Sequence, residues 1–173
     1  MYKSTELIME EFKNKVKYDI FQMGSSEGIT VLLLVPGCPL CRLYYLCDEG
    51  NGVYVRIYGL LENVSRDNYV NVLQECNALS CETGCLKFLV DENMEVCAVY
   101  EFPENTPNDG VGPMAYELYD RIRDGLEEFS YRLRKASKIN LTNNRKEIIF
   151  DEIEEMKRLH WKRMFEDEDT ENL

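Results

Sequence analysis

The chain has 173 residues, 45% of them apolar, which suits one domain with a true core and room for an added terminal helix. Its 20 Lys and Arg stand against 32 Asp and Glu, a formal charge of −12. An acidic excess of that size repels nucleic-acid phosphates and anionic membrane surfaces, so neither is an expected partner, whereas a basic protein would be attracted.

Met1 to Val16 carries Glu6, Glu10, Glu11, Lys13 and Lys15 along its whole length, a pattern no secretory h-region tolerates. The longest purely apolar run, Val31 to Pro36, is far short of a membrane span, so a cytoplasmic location is expected. Ser4 is placed to cap a first helix whose stripe is Ile8, Phe12 and Val16. After a loop around Gly24-Ser25-Ser26, the β-branched run Ile29 to Val35 reads as a buried strand. Pro36-Gly37-Cys38-Pro39 is a turn, Arg42 to Cys47 a second strand, and Asp48-Glu49-Gly50-Asn51-Gly52 a hairpin loop. In the third strand Val53, Val55 and Ile57 alternate with Tyr54, Arg56 and Tyr58, giving one core face and one wetter face. These three strands are expected to form an antiparallel meander.

Ser65 is placed to cap a second helix with Tyr69, Val72, Leu73 and Cys76 on its apolar side. Leu86 to Val90 and Val96 to Phe102 read as a hairpin turning at Asp91-Glu92-Asn93, and Pro103 to Pro113 as a loop. The third helix has the clearest stripe: Ala115, Leu118, Tyr119, Ile122, Leu126, Phe129 and Leu133. Beyond the polar break Asn140 to Asn144, a last helix is predicted from Arg145 to Phe165, acidic early and basic late as the helix dipole favours, followed by the acidic run Glu166 to Asp169. The expected fold is α+β: order α-β-β-β-α-β-β-α plus a C-terminal helix, with helices covering one face of an antiparallel sheet of about five strands. Residues 1–137 form the domain, and residues 138–173 the C-terminal helix with its acidic tail.

The helix Asn68 to Asn77, the strand Leu86 to Asp91, the acidic turn, the strand Val96 to Glu101 and the long helix ending Leu126-Glu127-Glu128-Phe129 together resemble the YbjN family, bacterial proteins folded like type III secretion chaperones. With the preceding meander the resemblance spans residues 3 to 137 and rests on element order and scattered apolar positions. It implies a protein-binding or regulatory role in the bacterial cytoplasm, often as a homodimer, without catalysis and without functional residues that transfer to this chain. The helix after Arg145 and most of the cysteines lie outside the pattern.

Seven cysteines are many for this length, and an odd number in a chain without a secretion signal argues against a disulfide framework. Cys38-Pro39-Leu40-Cys41 follows a strand as a thioredoxin-like redox pair would, but Arg42 to Cys47 then runs into a turn where that reading needs a helix. Cys38, Cys41, Cys81 and Cys85 together would supply four thiolates to a tetrahedral zinc. Their two pairs are separated by residues 42–80, longer than the usual ribbon spacing. Cys76 and Cys97 read as small core residues.

His160, the single histidine, reads as a packing residue on the last helix, and Asp91-Glu92 and Glu127-Glu128 as solvated acids. No phosphate loop or nucleophile motif is present, so neither catalytic residues nor a cofactor are expected, zinc on the four cysteines being the sole candidate. The expected function is therefore a non-enzymatic, chaperone-like protein-binding or regulatory module, with Tyr44, Tyr45, Tyr54 and Tyr58 on a sheet face and Trp161 on the last helix as contact residues. Two alternatives stand beside it: a cysteine-based zinc or thiol-redox protein, and an acidic inhibitor or decoy that mimics nucleic acid.

Overall fold

The computed structural model describes residues 1–15, 20–22 (backbone), 27–50 and 52–137. The predicted last helix, with His160 and Trp161, lies outside the described residues. Ten elements follow in order: α1 (Lys3–Lys15), β1 (Ile20–Gln22), β2 (Gly28–Leu33), β3 (Cys41–Cys47), β4 (Val53–Leu61), a 3-10 turn (Arg66–Asn68), α2 (Tyr69–Thr83), β5 (Lys87–Val90), β6 (Val96–Glu101) and α3 (Asn108–Ala136). This is the expected α+β order, with one further strand.

All six strands are antiparallel in one sheet ordered β1-β2-β3-β4-β6-β5. The added strand β1 has three residues and pairs Ile20 with Val31 and Gln22 with Ile29. So short a strand at a sheet edge leaves no period-2 signal to read. The meander β2-β3-β4 is antiparallel as expected, with Tyr45 opposite Val55 and Cys47 opposite Val53 across the loop that Asp48 closes by accepting bonds from the Gly50 and Gly52 amides. At the far end of β4, Gly59 takes φ +84 where the register to β6 shifts, and a β-carbon there would meet the Leu40 carbonyl oxygen at 2.7 Å. Only glycine fits such a bulge without strain.

Helices α1 and α3 lie on one face of the sheet, and α2 runs beside β5 against α3. The core between them takes Ile8 and Phe12 from α1, Val31, Leu43, Val55 and Ile57 from the sheet, and Ala115, Ile122, Leu126 and Leu133 from α3. Phe12 is its centre, meeting Tyr45, Tyr116 and Tyr119 edge-on at 5.4–5.7 Å between ring centroids. Such edge-to-face pairs contribute about 0.5–1.5 kcal/mol each beyond area burial. Farther along, Phe88 and Phe129 tie β5 to α3.

Three local expectations change. Ser4 lies inside the first turn of α1, which starts at Lys3, and is buried. Ser65 precedes a 3-10 turn and its side chain makes no capping bond. The segment Pro103 to Pro113 is a loop only as far as Pro107, because α3 begins at Asn108 and carries Pro113 as its sixth residue. Of the two glycines that read as loop punctuation, Gly112 serves packing here. A β-carbon on Gly112 would stand 2.9 Å from the Leu7 carbonyl oxygen and 3.1 Å from the Glu11 β-carbon, so its absence lets α1 and α3 touch.

The helix α2 also runs further than its apolar stripe shows, through Cys81 to Thr83, stopping at the left-handed Gly84 (φ +69). Ser80 of this helix accepts the Phe88 amide bond at 2.8 Å, and Thr83 donates to the Leu86 carbonyl at 3.2 Å. The outer edge of β5 is thereby closed to strand addition. Arg132 of α3 clips the layer together by pairing with Glu75 and Glu82 of α2.

Candidate functional site: the open face of the sheet

Alternation along each strand sends odd and even positions to opposite faces. In β3 the core takes Cys41, Leu43, Tyr45 and Cys47, leaving Arg42, Tyr44 and Leu46 on the other side. In β4 it takes Val53, Val55 and Ile57, leaving Tyr54, Arg56 and Tyr58. Cross-strand register then sets Arg42 beside Tyr58, Tyr44 beside Arg56 and Leu46 beside Tyr54. Val99 and Glu101 of β6 extend these rows opposite Arg56 and Tyr54.

The centre of this face is ordered by Arg56. Its guanidinium lies 4.5 Å from the Tyr58 ring centroid, and Tyr58 meets Tyr44 edge-on at 5.1 Å and 85°. The same guanidinium pairs with Asp91 at 3.3 Å and donates to the Cys97 sulfur at 3.5 Å. Asp91 in turn accepts bonds from the Asn93 and Glu95 amides, which holds the β5–β6 turn. Stacking on an aromatic ring suits the planar guanidinium, which leaves the phenol rims free for contact. Partial burial among these rings holds the Tyr58 hydroxyl protonated to higher pH than an ordinary phenol. At one end of the face Leu46 and Tyr54 remain 38% and 37% exposed as a cross-strand pair.

Three of the four tyrosines expected here, Tyr44, Tyr54 and Tyr58, share this face. Tyr45 does not. It is wholly buried among the helices, and its hydroxyl donates to the Ala115 carbonyl at 2.6 Å. The reason is the period of two: a residue adjacent to Tyr44 in a strand must face the other way. Burial raises the Tyr45 pKa well above that of an ordinary phenol. Trp161 lies outside the described residues. Leu46 and Arg56 share this face with the three tyrosines and were not singled out from the sequence. Counting back across the hairpin from Tyr54 would have found Leu46, since residues 47 and 53 close the loop.

The four cysteines proposed as zinc ligands are not brought together. Cys38 and Cys41 are buried at the β2–β3 turn, whereas Cys81 is exposed on the last turn of α2 and Cys85 half-buried beyond Gly84. The sequence reading placed this second pair in a loop, and the extra turn of α2 separates it from that arrangement. Among the described residues no group of three or more His, Cys, Asp or Glu side chains is set to hold a metal ion. Cys41 is the first residue of β3, so a strand follows the pair, as the sequence reading expected, where a thioredoxin-like site needs a helix. Burial pushes the Cys41 thiol up, the neighbouring Cys38 adding to the effect. Cys76 is pushed up to about 12, mainly by burial. Thiols held protonated in this way are poor nucleophiles and poor metal ligands.

The adjacent acids have separate roles: Asp91 is spent on Arg56 and its turn, and Glu127 and Glu128 are exposed on α3. Among the described residues no helix is long and apolar enough to cross a membrane. Neither protein-family models nor curated proteins give a match to this chain.

Proposed function

We propose that the protein is a non-enzymatic polypeptide-binding module, chaperone-like in role, that receives its partner on the open face of the sheet. The observation that carries this reading is the row Leu46, Tyr54, Arg56, Tyr58 and Tyr44 on a face that α1 and α3 leave free. Aromatic rings and arginine are the side chains enriched at binding hot spots, and tyrosine contacts cost little rotamer entropy. At the β5 edge Ser80 and Thr83 take the Phe88 amide and the Leu86 carbonyl, which disfavours strand addition there.

The test is a selection of binding peptides from a displayed random library, with the wild-type chain as bait, followed by titration of the selected peptides. A Leu46→Ser/Tyr54→Ser variant should lose at least about 2 kcal/mol of binding, the hot-spot scale, while keeping its circular dichroism and unfolding midpoint. Undiminished binding by the folded variant would sink the reading. Unfolding of the variant would assign both residues to the core.

A further inference from the structure

We infer that the β5–β6 turn is coupled to the contact face, and that Asp91 is a positioning residue that sets the tyrosines through Arg56 without touching the partner. The inference rests on the binding-module reading above and adds a point of control to it.

The coupling begins in the turn itself. Asp91 follows β5 directly, and its amide donates to the Glu95 carbonyl at 2.9 Å while its carbonyl accepts the Met94 amide at 3.0 Å. Its Oδ1 accepts the Asn93 and Glu95 amides at 2.9 and 3.2 Å. Met94, at φ +60, turns its carbonyl to the Val64 amide at 2.8 Å. The turn is thus pinned to the chain leaving β4 as well as to β5 and β6.

With Oδ1 committed to the turn, Oδ2 is left for Arg56, which it meets at 3.3 Å. The Arg56 side chain crosses β6, the strand between β4 and β5, and donates on the way to the Cys97 sulfur at 3.5 Å. The same guanidinium lies 4.5 Å from the Tyr58 ring centroid, and Tyr58 meets Tyr44 edge-on at 5.1 Å. One carboxylate therefore joins the turn beyond β5 to an aromatic pair on β4 and β3.

Burial separates positioning from contact. The Asp91 side chain is 9% exposed, too little for a partner to grip, whereas Leu46 and Tyr54 open to solvent at the other end of the face. Tyr54 stands about 13 Å along β4 from Tyr58. An arginine released from its carboxylate regains rotamers, and ordering it again falls to the partner at a cost in affinity. What Asp91 contributes is that order in advance.

Asp91→Asn isolates this role, because its side-chain oxygen still accepts the Asn93 and Glu95 amides while the charge that holds Arg56 is gone. In the free protein the variant should keep its circular dichroism and shift the ring-proton resonances of Tyr58 and Tyr44. It should weaken binding of the selected peptides about three- to tenfold. In an Arg56→Gln background the same substitution should change affinity no further, since Asp91 acts through that side chain. By linkage, saturating peptide should slow amide exchange at Asn93 and Glu95 of the wild-type chain by a similar factor, a measurement that does not depend on any variant folding. Unmoved tyrosine rings, unchanged affinity, a loss of equal size in the Arg56→Gln background, or unaltered exchange in the turn would each overturn the proposal. Peptides that bind through Leu46 and Tyr54 yet ignore Asp91→Asn remove the coupling and leave the binding module standing. A library that yields no binder removes the module, and the coupling falls with it.

Discussion

Replacing Tyr45 separates a core tyrosine from a contact tyrosine. Its ring is fully buried, edge-on to Phe12 at 5.7 Å, and its hydroxyl bonds the Ala115 carbonyl at 2.6 Å. Tyr45→Phe removes the hydroxyl and little else, because the Ala115 carbonyl lies inside α3 and keeps its role as a helical acceptor. The loss is then one neutral buried hydrogen bond, about 1 kcal/mol. Tyr45→Ala also empties the ring's site, which brings the cost to about 4–6 kcal/mol. With a urea slope of about 2 kcal/mol per molar, the first change lowers the midpoint by about 0.5 M and the second by about 2–3 M, if that variant folds at all. Urea titration followed by circular dichroism reads both, with the slope unchanged. An unmoved midpoint in Tyr45→Phe together with a loss below about 2 kcal/mol in Tyr45→Ala would refute the burial argument. Loss of peptide capture at full stability would return Tyr45 to the contact face.

Gly112→Ala should destabilise by about 1–3 kcal/mol, because its β-carbon would press on the Leu7 carbonyl oxygen. Gly110→Ala, in the same helix with no contact closer than 3.5 Å, should instead stabilise by about 0.4–1 kcal/mol in the same denaturation assay. Arg132→Met should cost about 1–2 kcal/mol by unclipping α2 from α3, and faster amide exchange in α2 is the readout. Stability should also fall above pH 9. The thiols of Cys41, Cys76 and Cys97 have raised pKa values in the folded chain, so above the ordinary thiol range the unfolded chain binds fewer protons and gains in relative stability. Their contribution is complete below that range and is lost as pH rises toward the folded values. Cys76, moved from 9.0 to about 12, should alone cost about 1.4 kcal/mol at pH 10. Cys76→Ala should flatten the unfolding midpoint against pH by that amount, and an equal slope in both proteins would contradict the assignment.

The meander, the β5–β6 hairpin and α3 were legible because each has a period that one buried face imposes: Val53, Val55 and Ile57 at two, Leu118, Ile122 and Leu126 at three to four. Elements whose residues answer to neighbours far along the chain were not. The glycine at Gly112 is fixed by contact with Leu7 of α1, and in sequence that contact is indistinguishable from loop chemistry. Helix α2 outruns its stripe, continuing through Ser80 and Thr83 until the left-handed Gly84 ends it, and that last turn carried Cys81 out of its expected loop. The open face was half legible. Composition singled out the tyrosines, but only strand parity separates Tyr44 from Tyr45, and only the tertiary contacts of Asp91 and Cys97 show Arg56 as the residue that orders the face.

Amide chemical-shift mapping of the isotope-labelled chain with a selected peptide tests the open-face claim most directly. The account predicts that the largest shifts fall on residues 42–46, 54–58 and 99–101, the strands bearing this face, and vanish in Leu46→Ser/Tyr54→Ser. Shifts concentrated on the outer side of α3, around Glu117, Asp124 and Tyr131, with the open face unmoved, would contradict it.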